Sequence, residues 1–273
     1  MTELGSRPPP SLLSKVPQVT VFFWVIKVLC TTIGETASDF LNTNVGLGLT
    51  GTAAAAGLCL ATVLAVQFSL RRYTPPVYWL AVVLLSVFGT LITDILTDSL
   101  KFPLEASTIV FSIALGLTFA AWYASEKTLS IHSIFSRKRE AFYWLAILFT
   151  FALGTAAGDL TAERLNVGYW RLALLFAGLI ALVTALHYVL KARLRVHDER
   201  HTTNAVLAFW IAYILTRPLG ASIGDYLSQA RGDCGLGLGT VGTSALFLTT
   251  ILGRVVFLTR THHDQIVPEP QDS

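Results

Sequence analysis

The stretch FFWVIKVLCTTIGETASDFL, residues 22–41, returns three more times along the chain in the same frame. The other copies are VYWLAVVLLSVFGTLITDIL at 77–96, FYWLAILFTFALGTAAGDLT at 142–161 and AFWIAYILTRPLGASIGDYL at 208–227. All four align without gaps on W-x9-G-x4-D. The tryptophans are Trp24, Trp79, Trp144 and Trp210, the glycines Gly34, Gly89, Gly154 and Gly220, and the aspartates Asp39, Asp94, Asp159 and Asp225. Residue types that recur together at fixed offsets mark an internal repeat, and a repeat decides the architecture before any site is considered.

Each copy is also a long apolar run, and a second apolar run follows each one. Runs at 18–41, 50–70, 77–97, 105–124, 141–160, 168–191, 204–226 and 236–258 all approach the ~20 residues that let a helix cross a ~30 Å hydrocarbon layer. The composition agrees, with 53% hydrophobic and 14% charged residues, against about 25% charged in soluble domains. Disorder needs the opposite balance. A net charge of +3 from scattered lysines and arginines excludes a nucleic-acid surface. The cysteines Cys30, Cys59 and Cys234 form no CxxC pair, so neither a disulfide framework nor a zinc site is signalled. The opening MTELGSRPPPSLLSKVPQ lacks a signal-peptide shape and reads as a retained, flexible tail.

The expected fold is all-α: a polytopic membrane protein of eight transmembrane helices arranged as four parallel two-helix repeats. The expected divisions are a cytoplasmic tail at 1–17, a single membrane domain at 18–260 and a second tail at 261–273. The repeats fall at about 18–72, 73–128, 137–196 and 202–260, with successive tryptophans 55, 65 and 66 residues apart. Two spans per repeat return the chain to its starting side, which makes the repeats parallel rather than inverted. Lys and Arg placement orients the chain. One set of span ends carries Arg7, Lys15, Arg71, Arg72, Lys127, Arg137, Lys138, Arg139, Lys191, Arg193, Arg195, Arg200 and Arg260, while the other carries Lys101, Arg164 and Arg231. Both termini are therefore expected in the cytoplasm, with hairpins near 42–49, 98–104, 161–167 and 227–235 facing outward. GLGLTGT from Gly46 and GLGLGT from Gly235 open the second helices of the first and last repeats.

The fourfold W-x9-G-x4-D pattern resembles a bacterial integral membrane protein family of four tandem two-span repeats, each with a characteristic tryptophan, known as a repeat of unknown function. The resemblance runs from about Lys15 to Arg260. It implies the eight-span architecture and a bacterial inner membrane, and it supplies no mechanism. The function has to come from the residues.

On a helix at 100° per residue, tryptophan and aspartate share one face and lie about 22 Å apart along the axis. The tryptophan reads as an interfacial anchor with its N–H at the headgroups, or alternatively as packing around a central axis. The glycine reads as a point of close helix approach. The aspartates carry the functional argument, because an ionisable group inside a span costs about 2.5–3.5 kcal/mol and here it recurs in every repeat. If the repeats surround an axis, the carboxylates can converge; otherwise they cap neighbouring outer loops. Glu35 stands eleven residues after its tryptophan, where the other repeats have Thr90, Thr155 and Ala221, and it shares a face with Asp39. Thr31, Thr32 and Ser86 extend the polar stripe.

Lys27 and Arg217 lie deep in spans and are expected either to pair with these acids or to gate the site. Five carboxylates against these two cations leave a surplus of three negative charges, which protons or cations must compensate. Hard oxygen ligands favour Mg²⁺, Ca²⁺ or Mn²⁺. Asp98, Glu105, Glu163 and Asp233 lie close by and read either as solvated loop charge or as an electronegative mouth that attracts cations.

Other motifs carry less. Gly220–Gly224 fits GxSxG inside an expected helix with no histidine nearby. Gly46–Gly51 fits GxGxxG without βαβ context. His197 with His201, and His262 with His263, read as solvated connector and tail.

The sequence thus points to an integral membrane transporter of a divalent metal cation such as manganese, open to proton coupling, in the inner membrane. Its cation-binding and metal-ligating residues are Glu35, Asp39, Asp94, Asp159 and Asp225, and its gating or ion-pairing residues are Lys27 and Arg217. The alternative is a non-transporting membrane binding or assembly protein whose acids are structural. No enzymatic activity and no cofactor are expected. The expected partners are the lipid bilayer and a cation or proton as substrate, with a second copy of the chain as an option, and no nucleic acid.

Overall fold

The computed structural model describes residues 14–44, 47–193, 199–261 and 264. Eight helices long and apolar enough to span a membrane account for the described chain. They are α1 (Val21–Asn44), α2 (Gly48–Ser69), α3 (Pro75–Asp94), α4 (Leu104–Glu126), α5 (Arg137–Leu165), α6 (Tyr169–Arg193), α7 (Glu199–Ser228) and α8 (Gly239–Thr261). Every span expected from hydropathy is a helix, and the protein is a multi-pass membrane protein. Local chemistry sets the ends. Pro75 opens α3, where its missing N–H costs nothing. The Ser136 hydroxyl accepts from the Arg139 N–H and caps α5. Asn166 closes α5 in the left-handed conformation that its short amide tolerates.

The odd helices form a closed inner ring: α1 packs on α3 and α7, and α5 packs on the same two. The even helices stand outside. In the most apolar stretch of each odd helix 44–56% of residues are buried, against 11–22% in the even ones. The outer helices do not pack mainly within their own repeat. Instead α2 leans on α3, α4 on α5 and α6 on α7, and α8 closes the circle on α1. Each repeat is thus clasped to the next, and the last to the first.

The repeated glycines make the ring close tightly, as the sequence implied. A Cβ on Gly34 would meet Ser86, one on Gly89 would meet Phe151, one on Gly154 would meet Arg217, and one on Gly220 would meet Thr31. Each glycine faces the residue seven positions after the next repeat's tryptophan, and the fourth faces the first. With lipid outside offering no hydrophobic drive between helices, such close backbone approach supplies much of the packing.

The tryptophans do not act as exposed anchors. Trp79, Trp144 and Trp210 are buried and Trp24 is half-buried, all at one end of the ring. The Trp79 indole donates to the Tyr73 hydroxyl at 3.1 Å and the Trp210 indole to the Leu129 carbonyl at 3.1 Å. The reason is the residue before each tryptophan, which is aromatic in every copy: Phe23, Tyr78, Tyr143 and Phe209. These rings interlock with the indoles, and the Tyr78 and Tyr143 hydroxyls meet at 2.5 Å. Packing around the axis, the alternative reading, is what the ring adopts.

The same end is strapped by both ends of the chain. Residues 14–17, expected in a flexible tail, are buried beneath the ring. The Lys15 ammonium bonds the Glu140 carboxylate at 2.6 Å, and the Gln67 amide donates to the same carboxylate. The Tyr73 hydroxyl donates to Asp264 at 2.5 Å, and the Gln18 N–H donates to the Asp264 carbonyl. Burial and the Asp264 carboxylate together hold the Tyr73 phenol well above its ordinary range. Residues 1–13 and 265–273 of the expected tails, and His197, His262 and His263, lie outside the described residues, as does the His201 side chain.

Candidate functional site

At the opposite end of the ring the aspartates emerge half-buried, one from each inner helix: Asp39, Asp94, Asp159 and Asp225. They do not form a single square. Glu35, Asp39 and Asp225 each bring a carboxylate oxygen within 4.8 Å of the other two, across the α1–α7 seam. Glu35 and Asp39 are one turn apart on α1, so a single helix face offers both. Asp94 and Asp159 line a neighbouring cavity of about 450 Å³ between α3 and α5, together with Asp98, Glu105 and Glu163. The chain passes from α3 into a π-helical turn over Ile95–Ser99, an irregularity frequent at functional sites. It sets Asp98 beside Asp94 on the cavity wall. Glu105 pairs with Arg164 at the rim. The side chain of Asp233 lies outside the described residues.

The centre of the ring is held by Arg217. It is fully buried and bonds three other inner helices at once. Its Nε donates to the Thr155 hydroxyl at 3.0 Å, and one terminal nitrogen donates to the Thr31 carbonyl at 3.2 Å. The other bonds the Glu35 carboxylate at 2.5 Å and the Thr90 hydroxyl. Glu35, Thr90 and Thr155 are the residues eleven past their tryptophans, so one guanidinium reads the same position in three repeats. The fourth repeat has Ala221 there and contributes Arg217 instead. Gly154 makes room for it, since a Cβ at that position would lie 2.6 Å from the Arg217 Cβ. A planar fork of five donors suits this task and a lysine does not.

Of the two roles expected for Lys27, pairing with the acids is not the one its surroundings offer. It makes no ion pair with the acids and has no hydrogen-bond partner among the described residues. Its ammonium lies 4.0 Å from the centroid of the Phe151 ring and 4.1 Å from that of Tyr213. The physical reason is depth. Lys27 is two turns closer to the tryptophan end than Glu35, about 12 Å along the axis. Arg217, not Lys27, is the inner-ring cation that pairs with Glu35.

The sequence pattern identified every acid in this region but not their division between two seams. It also missed the aromatic position before each tryptophan, although its fourfold recurrence was a readable signal. The GxSxG segment lies inside α7, where Gly220 and Gly224 serve contact with Thr31 and Thr32 of α1.

The description Repeat of Unknown Function (DUF347) matches the chain over residues 22–73, 77–128, 142–193 and 208–264. The protein belongs to the DUF347 family. No curated protein and no solved structure matches it. Each DUF347 match opens two residues before a ring tryptophan and contains one inner and one outer helix. The covalent unit of DUF347 and the packing unit therefore differ: the outer helix of each repeat is the lining of the next.

Proposed function

We propose that the protein transports a divalent metal cation, such as manganese, and receives it at the Glu35–Asp39–Asp225 group. One observation carries this reading: three carboxylates within 4.8 Å, drawn from the first and last repeats, at the end of membrane helices. Carboxylates this close repel one another, and a hard dication or bound protons relieve the repulsion. The adjoining acidic cavity raises the local cation concentration at the entrance. Arg217 gives the site a release device, because its guanidinium competes with the metal for Glu35. The proposal places the tryptophan end and both termini in the bacterial cytoplasm and assigns the chain no catalytic step.

Purified protein in liposomes, loaded with a metal-sensitive dye and offered Mn²⁺, Mg²⁺, Ca²⁺ and Zn²⁺, tests the reading. Mn²⁺ flux well above that of empty liposomes, and lost in Asp39→Asn, is expected. Flux equal to that of empty liposomes for every ion would favour a structural role. That second reading has its own support in the four partners of Arg217, which tie the ring together. Lys101→Cys, in the turn between α3 and α4, should react with an impermeant thiol reagent only from outside the cell.

A further inference from the structure

Below Arg217, toward the tryptophan end, lies a cation that the acidic site does not use. Lys27 is fully buried, and no acceptor or carboxylate meets its Nζ among the described residues. Only ring faces do, those of Phe151 on α5 and Tyr213 on α7. The Tyr213 and Ser86 hydroxyls, on the same axial stripe in repeats four and two, are likewise buried without partners. The titratable and charged groups about Lys27 are Cys30 on its own helix and Tyr213 and Arg217 on α7. Tyr143 of α5 and Tyr78 of α3 reach it through Tyr213. None is an anion in its ordinary form at neutral pH. Aromatic faces stabilise an ammonium without neutralising it, while burial without a counter-ion opposes the charge. Both protonation states are thereby kept within reach, and a group held that way, between an acidic entrance and a closed opposite end, is suited to carry a proton.

We propose that Lys27 is the proton-binding group of this carrier, and that a proton leaves its amine when a divalent cation occupies the Glu35–Asp39–Asp225 group. The inference rests on the transport reading above. The step balances as one dication entering the site and one N–H bond of the Lys27 ammonium breaking. Its electron pair stays on Nζ, and the proton passes to water on the acidic side from which the dication came; the amine takes its next proton from the tryptophan side once the dication has left there. One net positive charge crosses per cycle. The coupling is electrostatic: the dication displaces Arg217 from Glu35, and the unpaired guanidinium, whose charge already opposes that of Lys27, drives the proton off.

Simultaneous recording of Mn²⁺ and proton movement in liposomes tests the proposal. The wild type should move about one proton against each Mn²⁺, with Mn²⁺ affinity rising as pH rises and the buried amine gives up its proton more readily. Lys27→Met should still bind Mn²⁺ but move no proton against it, and the pH dependence that remains is that of the site carboxylates. Lys27→Arg should behave the same way, since it cannot release its proton. An unchanged proton-to-Mn²⁺ ratio in Lys27→Met overturns the proposal. A readout independent of transport is the ¹³Cε resonance of Lys27 in the wild type, assigned by its loss in Lys27→Met. A resonance that titrates within the pH range over which the protein stays folded supports the assignment, and one that stays constant across that range overturns it. A titrating Lys27 in a protein that moves no cation would sink the transport reading alone.

Discussion

The α1–α7 wall of the ring and the α3–α5 wall are built from the same repeat, yet they differ in chemistry. Both carry a tryptophan, a close-contact glycine and an outer aspartate per helix. On α3 and α5 the position eleven after the tryptophan is a threonine that accepts a hydrogen bond from Arg217. On α1 it is Glu35, and α7 supplies the arginine. The shared residues fix where side chains stand. The residues that break the symmetry decide what the site can bind. An arginine, a glutamate and a lysine placed once each turn a ring of four like helices into an axis with a direction.

The largest expected effect comes from removing the centre of that difference. Arg217→Met strands Glu35 and withdraws bonds from three helices, and breaking a buried pair in this way costs about 3–5 kcal/mol. Thermal unfolding in detergent should show a large drop. The double variant Arg217→Met/Glu35→Gln should recover part of it, because the stranded charge is gone. A double variant no more stable than Arg217→Met would mean that the threonine contacts, not the ion pair, dominate.

Next in size is the charge of the α1–α7 group. Asp39→Asn or Asp225→Asn should weaken Mn²⁺ binding at least about tenfold, ~1.4 kcal/mol, while thermal stability stays the same or rises as repulsion is relieved. Asp94→Asn and Asp159→Asn, on the other wall, should lower the rate of uptake more than equilibrium affinity, since they line the approach. Equal affinity losses on both walls would show that the two groups act as one site.

A steric change sharpens the same comparison. Gly154→Ala places a methyl 2.6 Å from the Arg217 Cβ and Gly89→Ala one 2.8 Å from the Phe151 Cβ. Each should cost about 1–3 kcal/mol by overpacking. Only Gly154→Ala should also disturb Mn²⁺ binding, because only its neighbour reaches Glu35. The two variants are compared by unfolding temperature and by Mn²⁺ affinity.

Much of this organisation was legible in the residues. Hydropathy placed all the helices because in lipid a span must satisfy its own backbone, and length then follows from the bilayer. The glycines announced close contacts because a missing side chain has few other uses inside a membrane helix. The partner helix of each outer span was not legible, since an apolar face in lipid does not specify which neighbour it meets. Lys27 and Arg217 looked alike in sequence, as buried cations on the same stripe. Only their depth, Arg217 seven residues past its tryptophan and Lys27 three residues past its own, one turn lower, separates a guanidinium that reaches Glu35 from an ammonium caged by rings. The Lys15–Glu140 pair was hidden because its partners are 125 residues apart with no motif connecting them.

Equilibrium Mn²⁺ binding to the purified protein, followed by loss of the free-ion electron paramagnetic resonance signal, tests the central claim most directly. The wild type is predicted to bind the ion, and Asp39→Asn/Asp225→Asn to lose it in a protein that is folded and at least as stable. Undiminished binding by that double variant, or no binding by the wild type at any pH at which it is folded, would contradict the account.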